Sequence, residues 1–232
     1  MIRRLKAIRE RLETRTLVAL LALAGVPWLF LSIADEVSEG ETQALDRRLL
    51  LAMRAPGDPS DPIGPRGFEE AVRDITALGG FTVLTIVTVA ATLLLIFKRR
   101  RLEALVFAGT VLLAQFSNSF LKAFYERPRP ELVTHGSYVY THSFPSGHAA
   151  MAAVVFLVLA TVFASVETRR RTKALIYGLA VAMVVAVGLS RIYLGVHWPT
   201  DVLGGWCLGT SWAIAAWIVL AFARRRLPPE VG

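Results

Sequence analysis

Six stretches of this chain contain no Asp, Glu, Lys or Arg: Thr16 to Ala34, Ile75 to Phe97, Ala104 to Leu121, Ala149 to Val166, Ala174 to Ser190 and Val202 to Ala223. Each is close to the roughly 20 residues that a helix needs to cross the hydrocarbon of a bilayer. One such run could be the core helix of a soluble protein. Six of them, bracketed by charge in a chain that is 54% apolar and 19% charged, require a membrane. Backbone N–H and C=O groups in lipid have to be satisfied within their own segment, so the runs are helices. The expected fold class is all-α: a polytopic membrane protein with six transmembrane helices.

The net charge of +8 would also suit a nucleic-acid partner, but the placement of the charge excludes one. Arg3, Arg4, Lys6, Arg9, Arg11 and Arg15 precede the first run. Lys98 to Arg101 follow the second, Arg169, Arg170, Arg171 and Lys173 follow the fourth, and Arg224 to Arg226 follow the sixth. These are alternate loops on one side, the pattern that orients membrane proteins with positive loops in the cytoplasm. The loops after runs one, three and five carry most of the acids, among them Asp35, Glu36, Glu39, Glu41, Asp58, Asp61, Glu69, Glu70 and Asp74, and are expected to face outward. Both termini are then cytoplasmic, in a bacterial inner (plasma) membrane.

Residues 1–15 place Ile2, Leu5, Ile8 and Leu12 at helical spacing among basic residues, which predicts an amphipathic helix on the inner surface ahead of a membrane domain over 16–232. The basic start and Ser32-Ile33-Ala34 also resemble a secretory signal. The first run is long enough to span, so an uncleaved anchor is expected. The outer segment 35–74 contains an apolar cluster, Leu49-Leu50-Leu51 with Met53, in a short helix, then a breaker stretch from Pro56 to Pro65, then a helix starting near Gly67. Gly79-Gly80 near the start of run two would permit close helix contact. The single cysteine, Cys207, excludes a disulfide framework and a thiolate metal cluster.

Polar chemistry collects at the outward ends of runs three to six. The stretch 190–201 reads SRIYLGVHWPTD. His197 can act as base or nucleophile, Arg191 can fork onto a phosphate or carboxylate, and Asp201 can hold the imidazole in one tautomer. Taken alone, Arg191 and Asp201 would merely complement helix dipoles. The loop 122–148 adds Lys122, Arg127 and Arg129 on the side where positive charge is disfavoured, the two arginines each preceding a proline in extended backbone. A common anionic ligand accounts for all three cations. Ser146 is a natural N-cap for run four, Gly147 lets an anion approach the backbone, and His148 lies beside that anion as a candidate acid. His135, His142, His148 and His197 all face outward, but their spacing lacks close ligand pairs and the surrounding cations would repel a metal. No metal or cofactor is expected; the surplus of positive donors suits a phosphate.

Lys122 to Pro130 fits K-x6-R-P, Pro145 to His148 is P-S-G-H, and Ser190 to Asp201 fits S-R-x5-H-x3-D, in that order and without a gap. The chain thereby resembles the type-2 phosphatidic acid phosphatase family of membrane lipid phosphatases, over roughly Ile75 to Phe222. The resemblance implies that His197 attacks phosphorus to form a phosphohistidine, with Asp201 orienting it. It implies that His148 protonates the departing oxygen and later helps water attack. Lys122, Arg129, Ser146, Gly147 and Arg191 would hold the phosphate oxygens; the resemblance settles less for Arg127 and Ser190. The expected substrate is a membrane lipid phosphate or pyrophosphate at the outer leaflet. A phosphotransferase with the same site and a non-catalytic anionic-lipid carrier remain as alternatives. The pair of histidines argues against the carrier, because binding alone requires neither.

Overall fold

The computed structural model describes residues 2–131 and 141–226, with side chains over 21–131 and 141–223. Among these the elements run α1 (Ile2–Glu39), α2 (Gln43–Leu51), β1 (Arg54–Ala55), β2 (Asp58–Pro62), α3 (Arg66–Ala77), α4 (Phe81–Phe97), α5 (Arg101–Tyr125), α6 (Gly147–Val166), α7 (Arg170–Tyr193) and α8 (Pro199–Arg226). The chain is a helical polytopic membrane protein. Five segments are long and apolar enough to cross: Leu21–Glu39 of α1, then α5, α6, α7 and α8 to Ala223. The lipid-facing side is explicit on α5, where Phe116, Phe120 and Phe124 follow one another at four-residue spacing and are 72%, 61% and 68% exposed. In water such a stripe would be an apolar patch without a partner.

The sixth crossing differs from its expected form. Run two is not one helix: α3 ends at Ala77, α4 starts at Phe81, and the pair bends by 46°. The break falls on Gly79-Gly80 for a steric reason. A Cβ on Gly79 would lie 2.3 Å from Val187 Cγ1 and 3.3 Å from the His148 carbonyl oxygen. The missing side chain therefore lets the corner sit against α7 and the start of α6. At the N-terminus, Ile2–Glu39 is a single helix, so no break separates residues 1–15 from run one. The amphipathic character expected of that segment lies outside the residues whose side chains are described.

The core centres on α6, whose buried face is mostly alanine and valine. Val154, Val155 and Val158 pack with Phe107 and Ala114 of α5, Leu84 of α4, and Ala213 and Ala216 of α8. The α6–α8 contact is closer still, because α8 carries Gly205 and Gly209 four residues apart. A Cβ on Gly209 would meet the Ala150 carbonyl oxygen at 2.3 Å, and one on Gly205 would meet the Ser146 carbonyl oxygen at 2.6 Å. The two helices touch backbone to backbone, and their N-termini, which carry Ser146 and Asp201, are thereby held side by side.

The outer segment is a packed cap. Leu50 of α2 is fully buried with Ala149, Ile192 and Val202, and Val72 of α3 packs on Tyr193, Leu194 and Val196. Between them lies a feature the all-α expectation missed, an antiparallel hairpin pairing Arg54 with Pro62 and Ala55 with Asp58, with Gly57 turning at φ 88°. Its second strand reads DPSDP, residues that ordinarily mark breakers.

Gly209→Val is expected to push α8 off α6, with a cost of roughly 1–3 kcal/mol or more from overpacking and a loss of activity through displacement of Asp201. Gly109→Ala, where an added Cβ meets nothing within 4 Å, should retain full stability. Thermal midpoints of the detergent-solubilised variants check both outcomes.

Candidate active site

His197 sits in the turn between α7 and α8, and that turn is closed by a defined helix end. Val196 N–H donates to the Arg191 carbonyl at 3.2 Å and Gly195 N–H to that of Ile192 at 3.0 Å, with Gly195 at φ 70°. This pairing about a left-handed glycine is a Schellman motif. Trp198 follows as the residue before Pro199, and the proline opens α8. Asp201, in the first turn, accepts from the Trp198 N–H at 2.8 Å, tying the loop to the helix it enters.

The Asp201 carboxylate is fully buried. Its Oδ1 accepts from Arg127 Nη1 at 2.6 Å; its Oδ2 accepts from the Ser143 hydroxyl and from the Trp198 N–H, and lies 3.4 Å from His197 Nδ1. Ser143 Oγ is also 3.4 Å from Nδ1. On its other side, His197 Nε2 lies 3.1 Å from Arg129 Nη1. A guanidinium has donors and no lone pair, so Nε2 is the acceptor and the ring proton resides on Nδ1, facing Asp201. Burial, then the charges of Lys122, Arg129, Arg191 and His148, hold the His197 pKa well below the usual 6.5. The ring is thus neutral, with its lone pair on Nε2. These four groups, drawn from α5, α6, α7 and the extended loop, all act electrostatically on one imidazole, and Arg129 also contacts it.

Two donors here have no hydrogen-bond partner among the described residues. Ser146 occupies the N-cap position of α6, but its hydroxyl makes no capping bond and is buried unpaired. Arg191, 3% exposed, donates from Nη1 to Thr76 Oγ1 at 3.0 Å, and its Nε is buried unpaired. Lys122 Nζ donates to the His142 carbonyl at 2.5 Å, and Arg129 donates to the carbonyls of Thr141 and Val196 at 2.8 and 2.6 Å. Burial lowers the Arg129 pKa while Asp201 opposes that shift. His148, the second residue of α6, lines a cavity of about 480 Å³ with Lys122, Gly147 and Asn118 at one end and Leu84, Val89, Val111 and Leu112 further along. A second cavity of about 500 Å³ is bounded by Lys122, Arg127, Arg129 and Thr141.

Arg127 does not share an anionic ligand with Lys122 and Arg129, as expected from the loop's charge. Its guanidinium bridges two protein carboxylates, Asp201 at 2.6 Å and Asp46 of α2 at 2.7 Å. Asp46 also accepts from the Thr200 N–H at 2.9 Å and hydroxyl at 2.6 Å. Ser190 donates back to the Val187 carbonyl within α7. His142 is exposed, and His135 lies outside the described residues. Sequence reasoning missed Asp46, Thr200 and Ser143. Ser143 lay in a motif-bearing loop, whereas Asp46 was one acid among many in the outer segment.

A model of the PAP2 superfamily matches residues 103–225. Over 143 residues the chain is 36% identical to phosphatidylglycerophosphatase B of Bacillus subtilis, an alignment covering 60% of this chain and 69% of that protein. Over 125 residues it is 33% identical to the undecaprenyl-diphosphatase of Sulfolobus acidocaldarius, covering 52% and 56%. The crystal structure of a transmembrane PAP2 type phosphatidylglycerolphosphate phosphatase from Bacillus subtilis superposes with a TM-score of 0.79 at 27% identity, covering 90% of this chain and 100% of that one.

Arg127→Lys keeps a charge but cannot span both carboxylates. Breaking a buried ion pair on one side costs about 3–5 kcal/mol, so this variant should lose thermal stability and kcat together. Arg129→Lys should lose activity with little change in midpoint. Stability should also fall with acid. Unfolded His197 takes up a proton near pH 6.5 and folded His197 does not, so between those two pKa values unfolding gains about 1.4 kcal/mol per pH unit. The difference in midpoint between pH 7.5 and pH 5.5 should shrink in His197→Gln.

Proposed function

We propose, from the premise that this chain belongs to the PAP2 superfamily and is a hydrolase of membrane-lipid phosphates, that it removes a terminal phosphate through a phosphohistidine on His197 Nε2. The observation that carries this reading is the neutral, buried His197 whose lone pair faces Arg129, beside buried donors on Ser146 and Arg191 that have no partner among the described residues. A phosphate is the ligand that supplies those donors with acceptors.

In the proposed sequence, Arg129 exchanges its bond to Nε2 for a phosphate oxygen, releasing the lone pair. Lys122, Arg191, the Ser146 hydroxyl and the N–H groups at the start of α6 take the remaining oxygens, as helix N-termini do with anions. Nε2 attacks phosphorus while His148 protonates the departing oxygen. Asp201 keeps the ring in the Nδ1–H form and stabilises the positive charge that develops on it. Water, deprotonated by His148, then releases phosphate. The charge is met by side chains, with no metal in the scheme.

The substrate class is a lipid phosphate or pyrophosphate such as phosphatidylglycerol phosphate, undecaprenyl pyrophosphate or phosphatidic acid. The named relatives support this breadth, one a phosphatidylglycerophosphatase and another an undecaprenyl-diphosphatase. The apolar reach of the cavity along α4 and α5 supports a tail that stays in lipid while the head meets His148. The alternation of basic loops supports placing the site on the outer side of the membrane with both termini cytoplasmic.

Phosphate release by the purified protein in detergent, measured over a panel of those lipids, tests the reading. His197→Ala should abolish release, and the base-stable, acid-labile phosphate label expected of a phosphohistidine should vanish with it, while folding is retained. Asp201→Asn should lower the rate by roughly 10⁴, as loss of the orienting acid does in a Ser-His-Asp triad. Near-normal turnover by folded His197→Ala would overturn the assignment.

A further inference from the structure

Asn118 has no part in the chemistry above, yet it occupies the same chamber. It lies one helical turn before Lys122 on α5, is 3% exposed, and its carboxamide oxygen has no hydrogen-bond partner among the described residues. Its side chain lines the cavity with Lys122, Gly147 and His148, and its Nδ2 would be 3.2 Å from a Cβ on Gly147. A polar side chain held this way in a membrane helix is costly unless it acts on something that enters. The Nδ2 donors could serve an anion, but the partner of Oδ1 is not the phosphate, because a phosphate dianion has only acceptors to offer and a carboxamide oxygen needs a donor.

We propose that Asn118 Oδ1 accepts a hydrogen bond from the water that attacks the phosphoenzyme, and so makes the site a hydrolase in preference to a transferase. The inference rests on the phosphohistidine reading. In this step the water oxygen bonds to phosphorus, and the P–N bond to His197 Nε2 breaks with its electron pair returning to the ring. One water proton passes to His148. The second stays on the oxygen and is donated to Asn118. An alcohol in the same place has one proton, which His148 takes, and its carbon then faces Oδ1 and leaves that acceptor unpaired. A site built to pair with a proton discriminates strongly against an analogue lacking it.

The test is product partition. Purified protein is given the panel lipid it turns over fastest, with butan-1-ol as competing acceptor, and inorganic phosphate and butyl phosphate are quantified. Wild type should form almost only inorganic phosphate, and Asn118→Leu should raise the ratio of ester to phosphate by roughly tenfold or more, the size of one unpaired buried acceptor. The ratio does not depend on how much enzyme is folded, so a merely structural role leaves it unchanged. Asn118→Ala, which cannot clash with Gly147, provides the same reading if the leucine variant folds poorly. An unchanged ratio in either variant, or a wild type that already favours butanol, overturns the proposal. Phosphate release surviving in His197→Ala would instead remove the phosphoenzyme and leave the measured ratio standing.

Discussion

The buried carboxylate of Asp201 is the interaction on which the rest of the site depends. An unpaired carboxylate with no solvent contact would be prohibitively costly, and this one is stabilised by donors from three separate parts of the chain. Arg127 comes from the extended loop after α5, Ser143 from the segment before α6, and the Trp198 N–H from the entry to α8. Satisfying one side chain therefore draws three loops together. Arg127 extends the network to Asp46, and Asp46 binds Thr200 back at the start of α8. The outer cap is locked to the His197 turn by charge as well as by Leu50 and Val72.

This network works only because the helices beneath it can approach closely. Gly205 and Gly209 bring α8 against the alanines of α6, and Gly79 admits the α3–α4 corner beside His148. The N-termini of α6 and α8 consequently lie together at one end of the bundle, and the Ser146 N–H donates to the Asp201 carbonyl at 2.9 Å. The positive ends of two helix dipoles then add to the charges of Lys122, Arg129 and Arg191 around His197. Backbone packing in the membrane and electrostatics at its edge are parts of one arrangement.

The residues that converge were legible because charge is so rare in the oily parts of the chain. Cations at the ends of runs three and five, on the side where positive charge is disfavoured, needed an explanation that dipoles alone did not provide. The two histidines at the starts of runs four and six suggested what it was. Features set by tertiary contact were not legible. Run two reads as one continuous apolar segment, and its bend falls where Gly79 packs closely against Val187 and the His148 backbone across the interface. The DPSDP strand has the composition of a loop. Arg127 looked like Lys122 and Arg129 until the carboxylates that occupy it were seen, one of them 81 residues away in sequence.

The charge balance of the site then separates cations paired with carboxylates from those that are not. Arg127 is neutralised by Asp46 and Asp201, and Asp201 is the acid that His197 faces. That leaves Lys122, Arg129 and Arg191 with no carboxylate hydrogen-bonded to them among the described residues, bonded instead to neutral carbonyls, a threonine hydroxyl and His197 itself. Holding three such cations together opposes folding and lowers the basicity of the histidine among them. On the proposed reading, a dianionic phosphate would relieve the repulsion, and the relief would grow as charge spreads over its oxygens on the way to transfer. Arg127, by bonding both Asp201 and Asp46, keeps those two acids from pairing directly with the three cations.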